Sequence, residues 1–323
     1  MKKNLTISDV DLRSILHVEK ETRSGQYIID VCPFCGKAKH FYINSKTQFW
    51  DCKKCGASGS IYKLLKHLDK TYLLGDKSVE FTEQIKSIRQ TLQDELSQKK
   101  SIKELPIKDM PAGFRICIGN KYLSSRNITL QDCKRYHIGE TKIVFKYNNY
   151  ILFPIYDGGE IRGFVGRYAN KNVPKDKLRY NNSIETDFAS LLYGYDEIIS
   201  GETETVIIVE GIFDKISVDK KLELYHDNSV KCVCTFGKKI SDVQILKLLS
   251  KGVVNVILSW DYDALKEIKN YGLELDKYFN VSVAVSTHKK DIDECTQDEV
   301  IEVFSNTQPI SEFSVNIIGK LKR

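Results

Sequence analysis

Three short apolar runs in the second half of the chain are each followed by acidic residues. Unbroken runs of this length, rich in β-branched side chains, are typical of buried parallel strands. Because the carboxyl ends of parallel strands meet at one edge of a sheet, the acidic side chains are expected to lie together there. Their spacings are Glu-Gly-x-x-Asp, Asp-x-Asp and Asp-x-Asp, and the residues are Glu210, Asp214, Asp261, Asp263, Asp291 and Asp293.

This concentration of carboxylates favours a divalent cation. Carboxylates brought close together repel one another, and hard oxygen ligands suit Mg²⁺ or Mn²⁺. The alternative is that an acidic residue after a strand caps the next helix, which any single one of the six could do. Three acidic motifs in order, each after an apolar run, favour the metal site over a set of independent caps.

Four of the nine cysteines form two Cys-x-x-Cys pairs with sixteen residues between them. Two such pairs at this separation place four thiolates around one Zn²⁺, and the ligands would be Cys32, Cys35, Cys52 and Cys55. Paired spacing and an odd total of cysteines favour a reducing compartment over disulfides. A zinc ion that only holds a small module together is compatible with any function.

Aromatic residues and lysines lie between the cysteine pairs, where the sequence predicts a two-stranded hairpin. Lys39, Phe41, Phe49 and Trp50 form a pattern that is typical of a surface on which nucleic-acid bases stack. Some of these rings must instead cover the zinc site. The pattern therefore predicts template-binding residues here, with a structural role as the alternative.

Composition and charge indicate a soluble globular protein that meets nucleic acid. Of the 323 residues, 41% are hydrophobic and 28% are charged, and neither a signal peptide nor an apolar run of membrane-spanning length is present. Residues 99–179 carry 17 Lys and Arg against 7 Asp and Glu, whereas residues 201–300 carry 13 against 18. A basic region beside an acidic metal site is what a polymerising or cleaving site on nucleic acid needs.

The acidic motifs resemble those of the TOPRIM domain, which primases, topoisomerases, some nucleases and a recombination mediator share. The cysteine motifs, Cys-Pro-Phe-Cys and Phe-Trp-x-Cys-x-x-Cys-Gly, are similar to the zinc ribbon of bacterial and bacteriophage replicative primases. Tyr-Leu-x-x-Arg at 122–126 and Leu-Tyr-Gly at 192–194 resemble segments of the primase polymerase core. The resemblance covers roughly 8–68 and 115–300, with the modules in the family's order.

This resemblance implies an α/β fold with several modules. They are a small all-β zinc ribbon over 1–68, a helical linker over 69–105, a mixed α+β basic subdomain over 106–200, a TOPRIM α/β domain with a central parallel sheet over 201–300, and a tail over 301–323.

The resemblance also implies an activity, that of a DNA-dependent RNA polymerase that makes short RNA primers on single-stranded DNA. Catalytic metal would be held by Glu210, Asp261 and Asp263, with the other three acidic residues as a supporting shell or a weaker second site. Whether Glu210 is a ligand or a general base stays open. Phosphates of template or nucleotide would face Arg126, Arg167 and Arg179, with Lys175 or Lys177 replacing a family lysine whose position is Phe188 here.

Three other TOPRIM activities are the alternatives. A recombination mediator binds DNA without catalysis, but its zinc and TOPRIM modules nearly touch, whereas about 150 residues separate them here. A nuclease of this class lacks the zinc ribbon, and a topoisomerase needs a nucleophilic tyrosine in a separate large domain. The primase interpretation implies a single-stranded DNA template, ribonucleoside triphosphates, one Zn²⁺ and catalytic Mg²⁺ or Mn²⁺. It also predicts a separate replicative helicase as partner, no membrane contact, and a cytoplasmic location, in the host cell if the protein is phage-encoded.

Overall fold

The computed structural model describes residues 7–22, 25–48, 50–55, 57–59, 61–74, 90–286 and 290–314. The chain folds into two compact units, one of Met1–Leu92 with Ser311–Arg323 and one of Gln93–Ile310. The boundary at residue 92 falls inside the stretch 69–105 that the sequence predicts as a linker. Residues 75–89 of that stretch lie outside the described residues.

The smaller unit is built on a five-stranded antiparallel sheet in the order β1-β2-β3-β4-β5. Two helices and a 3-10 turn at Thr71–Leu74 accompany it, and buried residues of both helices join the core of the sheet. The elements are α1 (Asp9–Ile15), β1 (Val18–Glu21), β2 (Gln26–Val31), β3 (Ala38–Asn44), β4 (Trp50–Cys52), β5 (Ser58–Gly59) and α2 (Ile61–His67). The predicted antiparallel zinc-binding sheet is confirmed, and the helices complete its core.

Helix α3 over 90–99 contains the boundary at residue 92, and the larger unit continues into a four-stranded antiparallel sheet in the order β6-β7-β8-β9. The strands are β6 (Arg115–Ile116), β7 (Gly139–Glu140), β8 (Tyr150–Asp157) and β9 (Glu160–Tyr168), and two short helices, α4 (Lys121–Ser124) and α5 (Leu130–Arg135), precede β7. A capping box starts α5, because Thr129 and Asp132 each accept the other's backbone N–H.

A second sheet in the larger unit has five strands in the order β11-β10-β12-β13-β14, and its first four strands are parallel. Helices alternate with these strands, which confirms the predicted α/β class with a central parallel sheet. The elements are β10 (Thr205–Val209), α6 (Ile212–Lys221), β11 (Val230–Cys234), α7 (Asp242–Ser250), β12 (Asn255–Leu258), α8 (Leu265–Leu275), β13 (Asn280–Val283), α9 (Gln297–Ser305) and β14 (Gln308–Pro309). The predicted module boundary at residue 300 falls inside α9.

Strand β11 is a parallel strand that the sequence analysis did not identify. It pairs with β10 along its whole length, so β10 lies between β11 and β12. The chain thus runs from β10 to β11 on one side and then crosses to β12 on the other, and ligands of open α/β sheets bind beside such a switch point. The signal in the sequence is the apolar run of β11, which Lys231 interrupts.

A buried lysine joins α6 to the segment that precedes the parallel sheet. The fully buried ammonium of Lys215 on α6 bonds to Asp219 at 2.6 Å and to Glu197, and it lies 4.6 Å from the centre of the Tyr136 ring. Gly194 packs against the same lysine at a φ of +91°, and a Cβ there would lie 2.7 Å from Lys215 Cε. The glycine of the Leu-Tyr-Gly segment is therefore required by this close approach.

The helices of the described ranges are all too short or too polar to cross a membrane.

Candidate functional site

Three carboxylates meet at the carboxyl edge of the parallel sheet. Glu210 follows β10 directly, and Asp261 and Asp263 follow β12. One oxygen from each lies within 4.8 Å of the others. Glu210 Oε1 accepts the backbone N–H of Asp261 at 2.9 Å, which orients its carboxylate toward the neighbouring strand end. We call Glu210, Asp261 and Asp263 the acidic cluster.

The other three predicted acidic residues lie around this cluster and are not part of it. Asp214 lies half-buried in the first turn of α6, where it accepts the N–H of Gly211 at 3.1 Å. Asp293 forms an ion pair with Arg126, and Asp291 is exposed. The interpretation as a helix cap therefore applies to Asp214. Residues 287–289, which precede the third motif, are outside the described residues.

Burial and mutual repulsion raise the pKa values of Glu210 and Asp261. Burial raises the pKa of Glu210 to about 7, and the neighbouring Asp261 carboxylate adds to the shift. Burial also raises the pKa of Asp261 to about 6, with a further contribution from Asp291. Burial, followed by the charges of Asp293 and Asp261, holds the pKa of Asp214 well above its ordinary value. A divalent cation relieves this repulsion, and the all-oxygen donor set fits Mg²⁺ or Mn²⁺.

A cavity of about 430 Å³ opens beside the acidic cluster. Its wall includes Glu210, Asp261 and the predicted phosphate ligand Arg167. The Arg167 side chain is 3% exposed; its Nε donates to Tyr122 Oη at 3.0 Å, and the guanidinium lies 4.8 Å from the centre of the Tyr180 ring. Its Nη1 is buried and has no hydrogen-bond partner among the described residues. A cationic donor is thus available at the wall of this cavity.

The other predicted phosphate ligands lie in different surroundings. Arg126 is largely buried, pairs with Asp293 and lies 5.1 Å from the centre of the Phe213 ring. The guanidinium of Arg126 therefore joins the basic region, residues 99–179, to the acidic motif that contains Asp293. Lys177 lies over the Phe145 ring at 5.4 Å, and Arg179 is exposed. Of the four, Arg167 is the one that lines the cavity with the acidic cluster.

The four predicted zinc ligands are brought together in the smaller unit. All four Sγ atoms lie within 4.8 Å of one another, and Cys35 Sγ and Cys52 Sγ are 3.9 Å apart. Zinc–sulfur bonds of about 2.3 Å in a tetrahedron place sulfur atoms roughly 3.8 Å apart, so the site fits Zn²⁺. Burial raises the pKa of Cys32 to about 12, which a bound cation would reverse.

Phe41 and Trp50 of the hairpin are core residues, which corrects the expectation that these two rings form a base-stacking surface. Phe41 is 0% and Trp50 is 2% exposed, and their ring centres are 5.0 Å apart. Phe34, which lies between Cys32 and Cys35, stacks on Trp50 at 4.6 Å. The rings are needed to fill the core that contains Cys32 and Cys52. Phe49 lies outside the described residues, and Lys39 is exposed and pairs with Glu19 at 2.6 Å.

Two functional side chains were missed by the sequence analysis. Tyr122, the tyrosine of the Tyr-Leu-x-x-Arg segment, positions Arg167 through its hydroxyl. Lys238 forms an ion pair with Asp263 and lies 4.0 Å from Glu210 Oε1. Lys238 follows the apolar run that forms β11, but its ion pair with Asp263 depends on which residue the folded chain brings near.

Comparison with known proteins gives a consistent result. Residues 1–104 match the CHC2 zinc finger family. The DNA primase of Thermotoga maritima is 29% identical over 86% of this chain and 55% of its own length, and that of Clostridium acetobutylicum is 24% identical over 95% of this chain and 59% of its own. The chain thus spans between half and three fifths of the length of these relatives.

Solved primase structures are also similar to the chain. The zinc-binding and RNA polymerase domains of Aquifex aeolicus primase are 21% identical with a TM-score of 0.42, covering 93% of this chain and 83% of that one. The RNA polymerase domain of the Mycobacterium tuberculosis primase is 15% identical with a TM-score of 0.49, covering 75% and 91%. With a CHC2 zinc finger match over residues 1–104, this chain is similar to DNA primases over most of its length.

Proposed function

We propose that this chain synthesises short RNA primers from ribonucleoside triphosphates on a single-stranded DNA template. The observation that carries the proposal is the cavity in which Arg167 faces the same space as Glu210 and Asp261. A buried cation beside clustered carboxylates matches what nucleotidyl transfer needs, since phosphate charge and metal ligands must meet at one point.

In this proposal the acidic cluster is the catalytic metal centre. Glu210, Asp261 and Asp263 would hold Mg²⁺ or Mn²⁺, which supplies charge stabilisation for the attacking and leaving oxygens when bound. The N–H of Asp261 fixes one Glu210 oxygen, so the cluster is preorganised by the backbone. Asp214, Asp291 and Asp293 add negative charge around the site, and Arg126 balances that of Asp293.

In this proposal one buried basic residue binds the nucleotide phosphates, and two basic residues nearer the surface bind the template. Arg167 would hold the nucleotide phosphates, because its Nη1 is buried and available and its plane is fixed by Tyr122 and Tyr180. Lys177 and Arg179 lie nearer the surface and would contact the backbone of the template. Such contacts hold DNA without reading its sequence.

The zinc centre has a different role in this proposal. Four cysteine ligands leave no open position on a tetrahedral Zn²⁺, so Cys32, Cys35, Cys52 and Cys55 serve the fold of the module. Template contact would come from exposed side chains such as Lys39.

The experiment that tests the proposal is primer synthesis in a minimal mixture. The native chain, a single-stranded DNA of mixed sequence, labelled ribonucleoside triphosphates and Mg²⁺ are expected to give short RNA products. Glu210→Gln is the matched negative control. DNA binding without RNA products would support the non-catalytic alternative, and cleavage of the DNA would support a nuclease; either result overturns the proposal.

A further inference from the structure

The ammonium of Lys238 contacts the acidic cluster. Lys238 lies in the loop between β11 and α7, and its ammonium pairs with Asp263 Oδ1 and lies 4.0 Å from Glu210 Oε1. Among the ion pairs of the described residues, those made by the acidic cluster involve Lys238 alone. The lysine thus neutralises part of a charge cluster that would otherwise repel itself.

A divalent cation and this ammonium compete for the same oxygens. Mg²⁺ binds its ligand oxygens at about 2.0–2.1 Å, so an ion on Asp263 Oδ1 would lie close to the ammonium that donates to the same atom. Two cations at this separation repel each other. Metal binding through Asp263 Oδ1 therefore favours a position of Lys238 away from the carboxylates.

The loop allows this displacement. The Lys238 side chain is one-third exposed. Gly237 before it adopts a φ of +142°, and no heavy atom lies within 4 Å of the position that a Cβ would take. The lysine can leave the carboxylates without disturbing a packed core.

A displaced Lys238 ends beside the cavity. Phe236 and Gly237 of the same loop line it, together with Arg167 across from them. We propose that Lys238 is a resident cation that a divalent metal ion displaces from Glu210 and Asp263, and that it then binds the phosphates of the incoming nucleoside triphosphate. This inference rests on the proposed function, since it assigns the phosphates of that reaction's substrate to Lys238.

The consequence is that metal and nucleotide help each other to bind. Without nucleotide, Lys238 competes with the metal and lowers its affinity. With nucleotide present, phosphate oxygens bind the Lys238 ammonium in place of the carboxylate oxygens. Because coupling between two ligands is reciprocal, the metal must raise nucleotide affinity by the same factor as nucleotide raises metal affinity.

The test measures Mn²⁺ and ATP binding to the full chain without template, so that no turnover occurs. Free Mn²⁺ is followed by electron paramagnetic resonance, and binding of the Mn²⁺–ATP complex by calorimetry. Lys238→Met is expected to bind Mn²⁺ alone roughly two- to fivefold more tightly, because a partly exposed ion pair of this size is lost. The same variant is expected to bind Mn²⁺–ATP roughly tenfold more weakly, because a charge-assisted phosphate contact is lost.

Lys239→Met is the matched control, because it removes the same charge from the next, exposed residue of the loop. Opposite changes for the two ligands in Lys238→Met and little change in Lys239→Met support the inference. Weaker Mn²⁺ binding, unchanged binding or equal effects in both variants would overturn it. Native protein whose Mn²⁺ binding is absent, or is unaffected by Glu210→Gln, would instead contradict the proposed function itself.

Discussion

The cysteine cluster and the acidic cluster are two metal sites built in opposite ways. The four cysteines lie within 24 residues of one another, in a small unit whose core is assembled around them. The three carboxylates lie at the ends of two parallel strands in a unit with a far larger core. The core of the small unit contains Cys32 and Cys52 themselves, so its folding is expected to be coupled to metal binding, whereas the core of the large unit contains none of the three carboxylates.

The cysteine cluster and the acidic cluster also differ in how their negative charge is balanced. The buried thiol of Cys32 lies within 4.8 Å of the three other thiols, and a bound cation would hold all four as thiolates. In the acidic cluster a lysine pairs with Asp263, and burial raises the pKa of Glu210 to about 7. One site is therefore closed and structural, and the other is open and able to exchange its ion.

Cys52→Ser should have the largest effect. Structural zinc contributes on the order of 10 kcal/mol to folding of such modules, so losing one thiolate should unfold the smaller unit. Zinc content should fall from one per chain to near zero. Fluorescence of Trp50, measured with Trp260 replaced by Phe, should show its exposure. Cys117→Ala, in the other unit, should keep its zinc.

Substitutions in the acidic cluster should abolish chemistry and leave folding intact. Glu210→Gln, Asp261→Asn and Asp263→Asn should each slow primer synthesis by about 10³-fold or more, because each removes a metal ligand. Asp293→Asn should cost less, since its carboxylate pairs with Arg126 outside the cluster. Rates are compared with far-UV circular dichroism and template binding, both of which should match the native protein. A variant of the cluster that primes at the native rate would contradict the assignment.

Trp50→Ala tests how the smaller unit is held together. Since the ring is buried against Phe34 and Phe41, its loss should destabilise the module by about 3–5 kcal/mol and weaken zinc retention. Competition with a chelator measures that retention. Tyr42→Ala, on the other face of the same sheet, should have little effect on it. A variant that keeps its zinc but loses template affinity would restore the base-stacking role.

The sequence could predict both clusters because short sequence motifs encode each of them. Two Cys-x-x-Cys pairs define a tetrahedron, and acidic residues after apolar strands define a sheet edge. It could also have predicted the burial of Trp50, because residues two apart in a strand share a face and Cys52 must face the zinc. The ion pair of Lys238 and the cap role of Asp214 could not be predicted from the sequence. Each depends on which neighbour the folded chain brings near.

The smallest predicted effect is on the folding stability of the metal-free protein. This stability should depend on pH. Burial raises the pKa of Glu210 from 4.5 to about 7 in the folded state. The folded state therefore binds this proton more tightly than the unfolded state does. The stabilisation is complete below about pH 4.5 and is lost as the pH rises through about 7.

Glu210→Gln removes this dependence, because the amide is neutral at every pH. Without added divalent cation, the variant should melt at the same temperature as the native protein near pH 5. Above pH 7 it should melt a few degrees higher. Trp260 fluorescence, measured with Trp50 replaced by Phe, reports on this unit alone, and Glu204→Gln is the exposed control. Added Mg²⁺ should stabilise the native protein more than the variant, because only the native cluster keeps all three carboxylates. Equal melting curves at every pH would mean that the charge of Glu210 does not destabilise the larger unit. The acidic cluster would then not differ from the cysteine cluster in the way proposed.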